Sequence, residues 1–268
     1  MEKRLHAKEN RRRHPAGDTV DYPFLILVLL LLAVGLTMLY SASSAQSEYD
    51  TGYAISTKYL QKQGVCAAVG LLAMYAFSRI PVKLWYRLAW WLYGAGIVLL
   101  LLVLVAGQEG NGARRWITIA GIQFQPSEVA KFTMIVLFAR LTRRFGQDAK
   151  KFRFGVLGFS AALLGILVPL ALEKHLSAIM LMGMVAVVMM FVAGTNPKWL
   201  LAGAGAAAVF VVVYIRFMGY AGDRVTAWLH PEADPGDTGY QILQSLYAIG
   251  SGGVFGLGFG KSRQKYLY

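Results

Sequence analysis

The sequence is short of cysteine and of charge. Cys66 is the only cysteine among 268 residues, so the chain cannot form an intrachain disulfide and thiol usage does not indicate a cellular compartment. Only 15% of the residues are charged and 56% are hydrophobic, whereas soluble domains carry about 25% charged residues. The composition therefore excludes an ordinary soluble domain and is typical of a protein embedded in a membrane.

Acidic residues are scarce as well, with 14 Asp and Glu against 27 Lys and Arg. An excess of positive charge is also found in nucleic-acid-binding proteins. Here, however, most of it lies in short connections between apolar runs, where it sets the orientation of membrane segments. We therefore expect no nucleic-acid partner.

Metal-ligating residues do not cluster, and no order of Ser, His and Asp indicates a catalytic triad. His230, Glu232, Asp234 and Asp237 lie in a turn rich in Pro and Gly. A solvated acidic loop is the simpler interpretation, although Asp-rich loops can hold Mg²⁺. No cofactor is indicated with certainty, and a divalent cation such as Mg²⁺ is left open.

Long apolar runs are what the sequence does have. Each can form a helix across a hydrocarbon layer about 30 Å thick. We predict seven spans, at Tyr22–Tyr40, Gln63–Phe77, Leu84–Ala106, Ser127–Leu141, Phe154–Leu172, Leu176–Val192 and Trp199–Phe217. Clusters of small residues at Gly94–Gly96 and Ala202–Ala208 are typical of helix packing.

Basic residues alternate between the connections. They occur in the first 21 residues, in the second connection around Arg79, in the fourth around Arg144 and in the sixth at Lys198. Since basic connections stay in the cytoplasm, the N-terminus is predicted to be cytoplasmic. The predicted fold is an all-α polytopic membrane protein with a basic tail (1–21), a seven-helix bundle (22–217) and a large glycine-rich extracytoplasmic loop (218–268).

The third connection, Gly107–Pro126, contains the densest polar motif of the sequence, and it is predicted to face outward. Arg114 and Arg115 oppose the charge rule there, and a phosphate partner explains them better than a role as interfacial anchors beside Trp116. Guanidinium groups bind phosphate oxygens with paired hydrogen bonds. The motif therefore predicts an anion-binding surface.

A helix start follows this motif. Pro126 suits the first turn, Ser127 can cap free N–H groups and Glu128 favours the positive end of the helix dipole. Lys131 then lies one turn inside an apolar helix, where a lysine costs roughly 2.5–3.5 kcal/mol at mid-depth. Lys131 therefore needs a partner, a water-filled cavity or an anionic ligand.

The glycine-rich end of the chain contains GFGKS, which is similar to a nucleotide-binding phosphate loop. Phe255 stands where that loop needs its first glycine, so we exclude it. Glycines beside Lys261 and Lys265 either bind a phosphate through backbone N–H groups or form a tight loop.

His175 lies between two apolar runs, and its position indicates a helix cap or an interface.

Two long motifs resemble the SEDS family, the FtsW/RodA/SpoVE cell-wall polymerases. The first is NGARRWITIAGIQFQPSEVAKF, and the second is RVTAWLHPEADPGDTGYQILQSLYAIGSGGVFGLGFGKSRQK, at residues 224–265. YSAS at Tyr40–Ser43 also ends the first span as in the family. The resemblance covers nearly the whole chain.

This resemblance implies a peptidoglycan glycosyltransferase of about ten membrane helices. Its substrate would be lipid II, an undecaprenyl-pyrophosphate-linked disaccharide-peptide, at the outer face of the bacterial plasma membrane. Its partners would be a class B penicillin-binding transpeptidase and other division or elongation proteins. The matching motif positions imply a substrate-binding site at Arg115, Trp116, Gln125, Glu128, Lys131, Gln241, Ser245, Lys261 and Lys265.

The sequence departs from the family in two places. Glu173, Lys174 and His175 stand where the family often has a QPD-like motif, so a role for that Asp cannot be carried over. The catalytic base of the family lies beyond a YLPE-type segment, and we expect this Asp beyond Tyr268. The chain is therefore expected to be a fragment that is inactive alone.

Two other functions remain open for such an outward cationic cavity. One is a flippase for lipid-linked precursors, and the other is a non-catalytic scaffold of the division machinery. The basic tail and the KHLS sequence favour a division, FtsW-like role over an elongation role.

Overall fold

A computed structural model describes residues 20–110, 113–119, 122–217 and 225–266 of the chain. The predicted tail, up to residue 19, lies outside the described residues. The structure is mostly helical, and its helices are α1 (Tyr22–Asp50), α2 (Lys58–Arg79), α3 (Val82–Ala106), α4 (Pro126–Phe145), α5 (Phe159–Leu172), α6 (Leu176–Val192), α7 (Pro197–Phe217) and α8 (Tyr240–Gly252).

All seven predicted apolar runs lie within helices, the fifth beginning in a π-helical segment (Phe152–Gly158) that leads into α5. Three helical segments of the described chain are long and apolar enough to cross a membrane by themselves: Tyr22–Asp50, Val82–Ala106 and Phe152–Leu172. Shorter apolar helices occupy Leu176–Val192 and Pro197–Val213. The number of spans and their orientation stay predictions.

A small antiparallel sheet corrects the prediction that the chain is entirely helical. Strands β1 (Gln108–Gly110), β2 (Ala113–Ile119) and β3 (Ile122–Phe124) pair in that order between α3 and α4. Gln108 lies opposite Trp116, and Ile117 opposite Phe124. The reason is local, since β-branched and aromatic residues fit a pleated surface better than a helix.

The predicted loop from residue 218 is also more regular than expected. It contains a helical turn at residues 225–229, the 13-residue helix α8 and a 3₁₀ turn at Arg263–Lys265. Helix α8 forms because YQILQSLYAI repeats apolar residues at helical spacing and because Gly253, with φ of 57°, ends it.

The chain divides into two compact units. Unit 1 comprises the described residues of 1–76 and 234–268, and unit 2 comprises residues 77–233. The division predicted from the sequence, into a tail, a helix bundle and a loop, rests on the predicted side of the membrane and not on contacts within the fold. It stays a prediction.

Unit 2 has its core where α3, α4, α5 and α6 meet. Phe138 of α4 and Phe159 of α5 are fully buried, with ring centroids 5.0 Å apart. Gly96 allows α3 to approach α4 closely, since a Cβ there would lie 2.6 Å from the Thr133 hydroxyl. Gly94 faces open space, so one glycine of the predicted packing cluster is used and the other is not.

The small residues of α7 do not confirm the second predicted packing cluster. Residues 202–208 are exposed, and a Cβ at Gly203 or Gly205 would meet nothing within 4 Å. In the part of the chain that the structure describes, this face of α7 therefore contacts no other helix.

In unit 1, a buried serine joins α1 to α2. The Ser47 hydroxyl donates to the Ile55 carbonyl at 2.8 Å and accepts from the Lys58 amide at 3.0 Å. The glycine-rich segment folds onto α1, where the Gly260 amide donates to the Ser41 hydroxyl at 2.8 Å. These contacts bring the end of α1, α8 and the 3₁₀ turn together.

Candidate functional site

The N-termini of α4 and α6 meet at a cavity of about 220 Å³ in unit 2. Each helix N-terminus carries roughly half a positive charge and leaves backbone N–H groups without helical partners. Two such termini at one cavity favour an anion. The cavity is lined by Gln125, Ser127, Glu128, Lys131, His175, Ser177, Ala178, Leu181 and Met182.

Lys131 has both an ion-pair partner and a cavity in the structure. Its amino group lies 2.7 Å from the Glu128 Oε2 atom, one turn back along α4. Glu128 is the more exposed of the two, with 61% of its side chain accessible against 27% for Lys131. An ion pair this open stabilises the fold by at most about 1 kcal/mol, so Glu128 can yield its place to an anionic ligand.

Ser127 does not cap α4 as the sequence predicted. Gln125 is the N-cap residue, in an extended conformation and without a side-chain capping bond. The Ser127 side chain is 2% exposed, and its hydroxyl makes no hydrogen bond within the described residues. A buried hydroxyl without a partner costs about 1–3 kcal/mol, so this group is available to a ligand in the cavity.

Arg114 and Arg115 diverge because neighbouring residues of a strand point to opposite faces. The Arg115 guanidinium donates to the Lys174 carbonyl at 2.7 Å, whereas that of Arg114 donates to the Leu104 carbonyl at 3.3 Å. Lys174 has φ of 55°, a left-handed conformation that is costly for a residue with a Cβ. Arg115 is thereby held on the connection between α5 and α6, beside the cavity residue His175.

Glu173 and His175 are buried in that connection, with 2% and 9% of their surfaces exposed. Burial raises the pKa of the Glu173 carboxyl to about 8, although the charge of Arg115 acts in the opposite direction. Burial, followed by the charge of Arg115, lowers the pKa of His175 to about 4. Near pH 7 both groups are therefore neutral, which is characteristic of functional sites.

Among the described residues, His175 occupies the N-cap position of α6 but makes no side-chain capping bond, so the predicted capping role is wrong and the alternative of an interface stays a prediction. Its Nδ1 atom and the Oε1 atom of Glu173 are buried without hydrogen-bond partners among the described residues. His175 lines the cavity together with Ser127 and Lys131, so these three side chains offer hydrogen-bonding groups to a ligand there, whereas Glu173 is not among the described residues that line it.

A second cavity, of about 450 Å³, lies in unit 1. Gln241, Ser245 and Lys265 of the predicted site line it. The Ser245 hydroxyl donates to the Gln241 carbonyl at 2.8 Å within α8. The complete lining is Ala42, Gln46, Tyr240, Gln241, Gln244, Ser245, Ala248, Gln264, Lys265 and Tyr266.

The glycine-rich segment agrees with the tight-loop alternative. Gly256, Gly258 and Gly260 have φ of 73°, 98° and 70°, values that glycine adopts without strain. The Gly260 amide, which a phosphate site would need, already donates to Ser41. Lys261 lines neither cavity.

A family described as "Cell cycle protein", of FtsW, RodA and SpoVE, matches residues 22–268. The chain belongs to the FtsW/RodA/SpoVE family.

Relatives within the FtsW/RodA/SpoVE family agree with this assignment. The chain is 38% identical over 251 residues to a probable peptidoglycan glycosyltransferase FtsW of Geobacter sulfurreducens, covering 90% of this chain and 66% of the relative. It is 33% identical over 251 residues to the stage V sporulation protein E of Bacillus subtilis, covering 92% and 68%. The chain thus spans about two thirds of the length of these relatives.

Solved structures of the family share the fold. The rod shape determining protein RodA of Thermus thermophilus has a TM-score of 0.61 and 28% identity, covering 73% of this chain and 61% of RodA. A chain of a peptidoglycan synthase complex that coordinates polymerization and crosslinking has a TM-score of 0.63 and 31% identity, covering 85% and 66%.

The structure thus distributes the predicted site of this FtsW/RodA/SpoVE protein over two cavities. Gln125, Glu128 and Lys131 share the cavity of unit 2, with Arg115 held beside its residue His175. Trp116, 41% exposed, lines neither cavity. Whether any of these residues binds substrate stays a prediction.

Sequence reasoning missed Glu173, His175 and the unpartnered hydroxyl of Ser127. The sequence signal that could have indicated Glu173 and His175 is the polar triplet Glu-Lys-His, which forms the whole connection between two long apolar runs. A connection this short keeps its side chains at the ends of both helices, where burial perturbs their pKa values.

Proposed function

We propose that this protein is a peptidoglycan glycosyltransferase that polymerises lipid II into glycan strands during cell division or cell-wall growth. The names of its relatives supply the reaction class. The observation that carries the proposal is the cavity of unit 2, where two helix N-termini and Lys131 converge. At about 220 Å³ it suits a phosphate group rather than a whole lipid.

The reaction forms a bond from a sugar hydroxyl to the anomeric carbon of a second, diphosphate-linked sugar and breaks the bond between that carbon and the diphosphate. The hydroxyl proton passes to a general base, and negative charge develops on the leaving diphosphate. Donors that already point to that position stabilise the transition state, because they need no reorganisation as the charge appears. Lys131 and the N-termini of α4 and α6 fill this role, and Arg115 adds a positive charge beside them. Binding replaces Glu128 by phosphate as the partner of Lys131.

We further propose seven spans, one in each of α1 to α7, in the bacterial plasma membrane with the N-terminus in the cytoplasm. The cavity of unit 2 then opens outward. Three apolar helices and the alternation of basic connections support this. A membrane-impermeant thiol reagent should label Gln123→Cys in intact cells and spare Lys150→Cys, both in a Cys66→Ser background; the reverse pattern would overturn the orientation.

We propose a class B penicillin-binding transpeptidase as the partner, together with other division or elongation proteins. A solved relative that comes from a peptidoglycan synthase complex supports this. A requirement for a divalent cation such as Mg²⁺ stays a proposal as well. Among the described residues, no three His, Cys, Asp or Glu are grouped to hold a metal. Chelation during the assay below tests it.

Lys131→Ala tests the proposed function. A charge-assisted hydrogen bond contributes about 1.5–3 kcal/mol, so polymerisation of lipid II by the complete gene product in detergent should fall roughly 10- to 150-fold. Lys151→Ala is the matched control, because Lys151 forms the same kind of ion pair with Asp148, also one turn apart and at 2.7 Å, away from the cavity.

Detergent also separates the other functions. Glycan chains form without a sealed membrane, whereas flipping requires one, and a scaffold would retain partner binding and complementation in the Lys131→Ala variant. Unchanged polymerisation in Lys131→Ala, with the Lys151→Ala control also unchanged, would refute the proposed role of the cavity.

A further inference from the structure

The cavity of unit 1 is unusually rich in side-chain amides. Gln46 of α1, Gln241 and Gln244 of α8, and Gln264 of the 3₁₀ turn all line it. Among the described residues, Lys265 is the only charged one that lines the cavity, and none of them carries a carboxylate. The unit 2 cavity differs, because two helix N-termini and the ion pair of Lys131 with Glu128 lie there and it is lined by only one glutamine among the described residues.

Most of these amides are free to bind a ligand. In the part of the chain that the structure describes, the side chains of Gln241, Gln244 and Gln264 make no hydrogen bond. Gln46 donates through Nε2 to the Asp50 carboxylate at 2.7 Å, which leaves its amide oxygen unused. Each glutamine can donate two hydrogen bonds and accept two, so the lining presents donors and acceptors side by side.

A ligand that matches this lining must itself both donate and accept. Phosphate oxygens only accept, so a phosphate would use the NH₂ groups of the glutamines and leave their amide oxygens without partners. Sugar hydroxyls and acetamido groups do both. Tyr266, 54% exposed, lines the cavity with the Lys265 amino group 5.2 Å from its ring centroid, and its ring can also pack against the C–H groups of a sugar. The volume of about 450 Å³ lies in the range of small-molecule sites.

We propose that the cavity of unit 1 is a carbohydrate-binding site for an uncharged, N-acetylated disaccharide unit. Gln244 of α8 and Gln264 of the 3₁₀ turn bind the hydroxyl and acetamido groups. The proposal rests on the proposed function, which supplies a sugar-bearing ligand, and assigns the glycan part of that ligand to unit 1.

The test uses the 268-residue chain in detergent and N,N′-diacetylchitobiose as the probe. Saturation-transfer NMR should show transfer to the acetyl methyl and ring protons of the disaccharide. Loss of one or two hydrogen bonds in the Gln244→Leu/Gln264→Leu double variant should weaken binding about tenfold or more. Gln63→Leu, which changes an exposed glutamine of α2 outside the cavity, is the matched control and should bind normally.

Thermal unfolding of each variant separates lost binding from lost folding. The proposal is overturned if the wild type shows no saturation transfer. It is also overturned if the double variant has the same Tm as the wild type and binds the disaccharide equally well. Displacement of the disaccharide by inorganic pyrophosphate overturns it too, because the cavity would then be an anion site. If the double variant does not fold, the single variants Gln244→Leu and Gln264→Leu are compared instead.

Failure of the proposed function would look different. Lys131→Ala lies in unit 2 and should lower polymerisation roughly 10- to 150-fold while leaving disaccharide binding intact. Sugar binding that depends on the glutamines, together with undiminished polymerisation by Lys131→Ala, would refute the role of the unit 2 cavity and support the carbohydrate site.

Discussion

Replacing Glu173 by Gln should flatten the dependence of stability on pH above neutrality. Folding raises the pKa of Glu173 from 4.5 to about 8. Between these values the unfolded chain has lost the proton and the folded chain keeps it, so the free energy of unfolding falls as pH rises. The stabilisation is complete below pH 4.5 and is lost by about pH 8.

His175 acts in the opposite direction over a lower range. Folding lowers its pKa from 6.5 to about 4, so its contribution is present above pH 6.5 and is lost as pH falls towards 4. Between pH 4.5 and 6.5 the two slopes, each about 1.36 kcal/mol per pH unit, nearly cancel. From pH 6.5 to 8 only the Glu173 slope remains, which amounts to about 2 kcal/mol of lost stability.

Thermal unfolding of the purified chain in detergent, followed by tryptophan fluorescence, measures this loss. For a chain of this size about 2 kcal/mol corresponds to roughly 4–8 °C in Tm. Glu173→Gln mimics the protonated carboxyl, so its Tm should not show this decrease between pH 6.5 and 8. Parallel pH profiles for the variant and the wild type would refute the reasoning that Glu173 is buried in its neutral form.

Two further substitutions in unit 2, each with its own control, test the contact between α3 and α4 and the backbone strain at Lys174. Gly96→Ala should lower the free energy of unfolding by about 1–3 kcal/mol, because its methyl group would collide with the Thr133 hydroxyl at the contact of α3 with α4. Gly94→Ala, two residues away in open space, is the control, and an equal loss in both would contradict the close approach. Lys174→Gly should raise stability by roughly 1 kcal/mol, or about 2–4 °C in Tm, because glycine adopts the left-handed conformation at φ of 55° without strain. Lys174→Ala should bring no such gain, and a gain in Lys174→Ala as large as in Lys174→Gly would show that backbone strain is not the cause.

Apolar runs predicted the helices because membrane-spanning length and hydropathy are local properties of a sequence. The sixth run, Leu176–Val192, has the same bounds as α6. The sheet was missed although Asn111–Gly112 is a strong hairpin signal, since the neighbouring motif was interpreted by its charge. The first span was predicted at Tyr22–Tyr40, and the helix that contains it continues to Asp50, where Ser47 accepts a hydrogen bond from the first residue of α2.

The candidate site was predictable only where its residues stand in one continuous motif. Glu128 and Lys131 lie one turn apart on α4, so helical spacing alone places them together. The burial of Glu173 and His175 depends on α6 meeting α4, a tertiary contact that no local pattern contains. The glutamines of unit 1 come from α1, α8 and a 3₁₀ turn, and their convergence requires the folded chain.

Cys66 lies on an exposed position of α2 and is the only cysteine of the chain. A maleimide-linked fluorophore or nitroxide therefore attaches at a single point without any cysteine having to be removed. It reports from unit 1, and one engineered thiol in α6 would supply the second spectroscopic label in unit 2. The separation of the two labels in solution, before and after ligand addition, would then give the spacing of the two units directly.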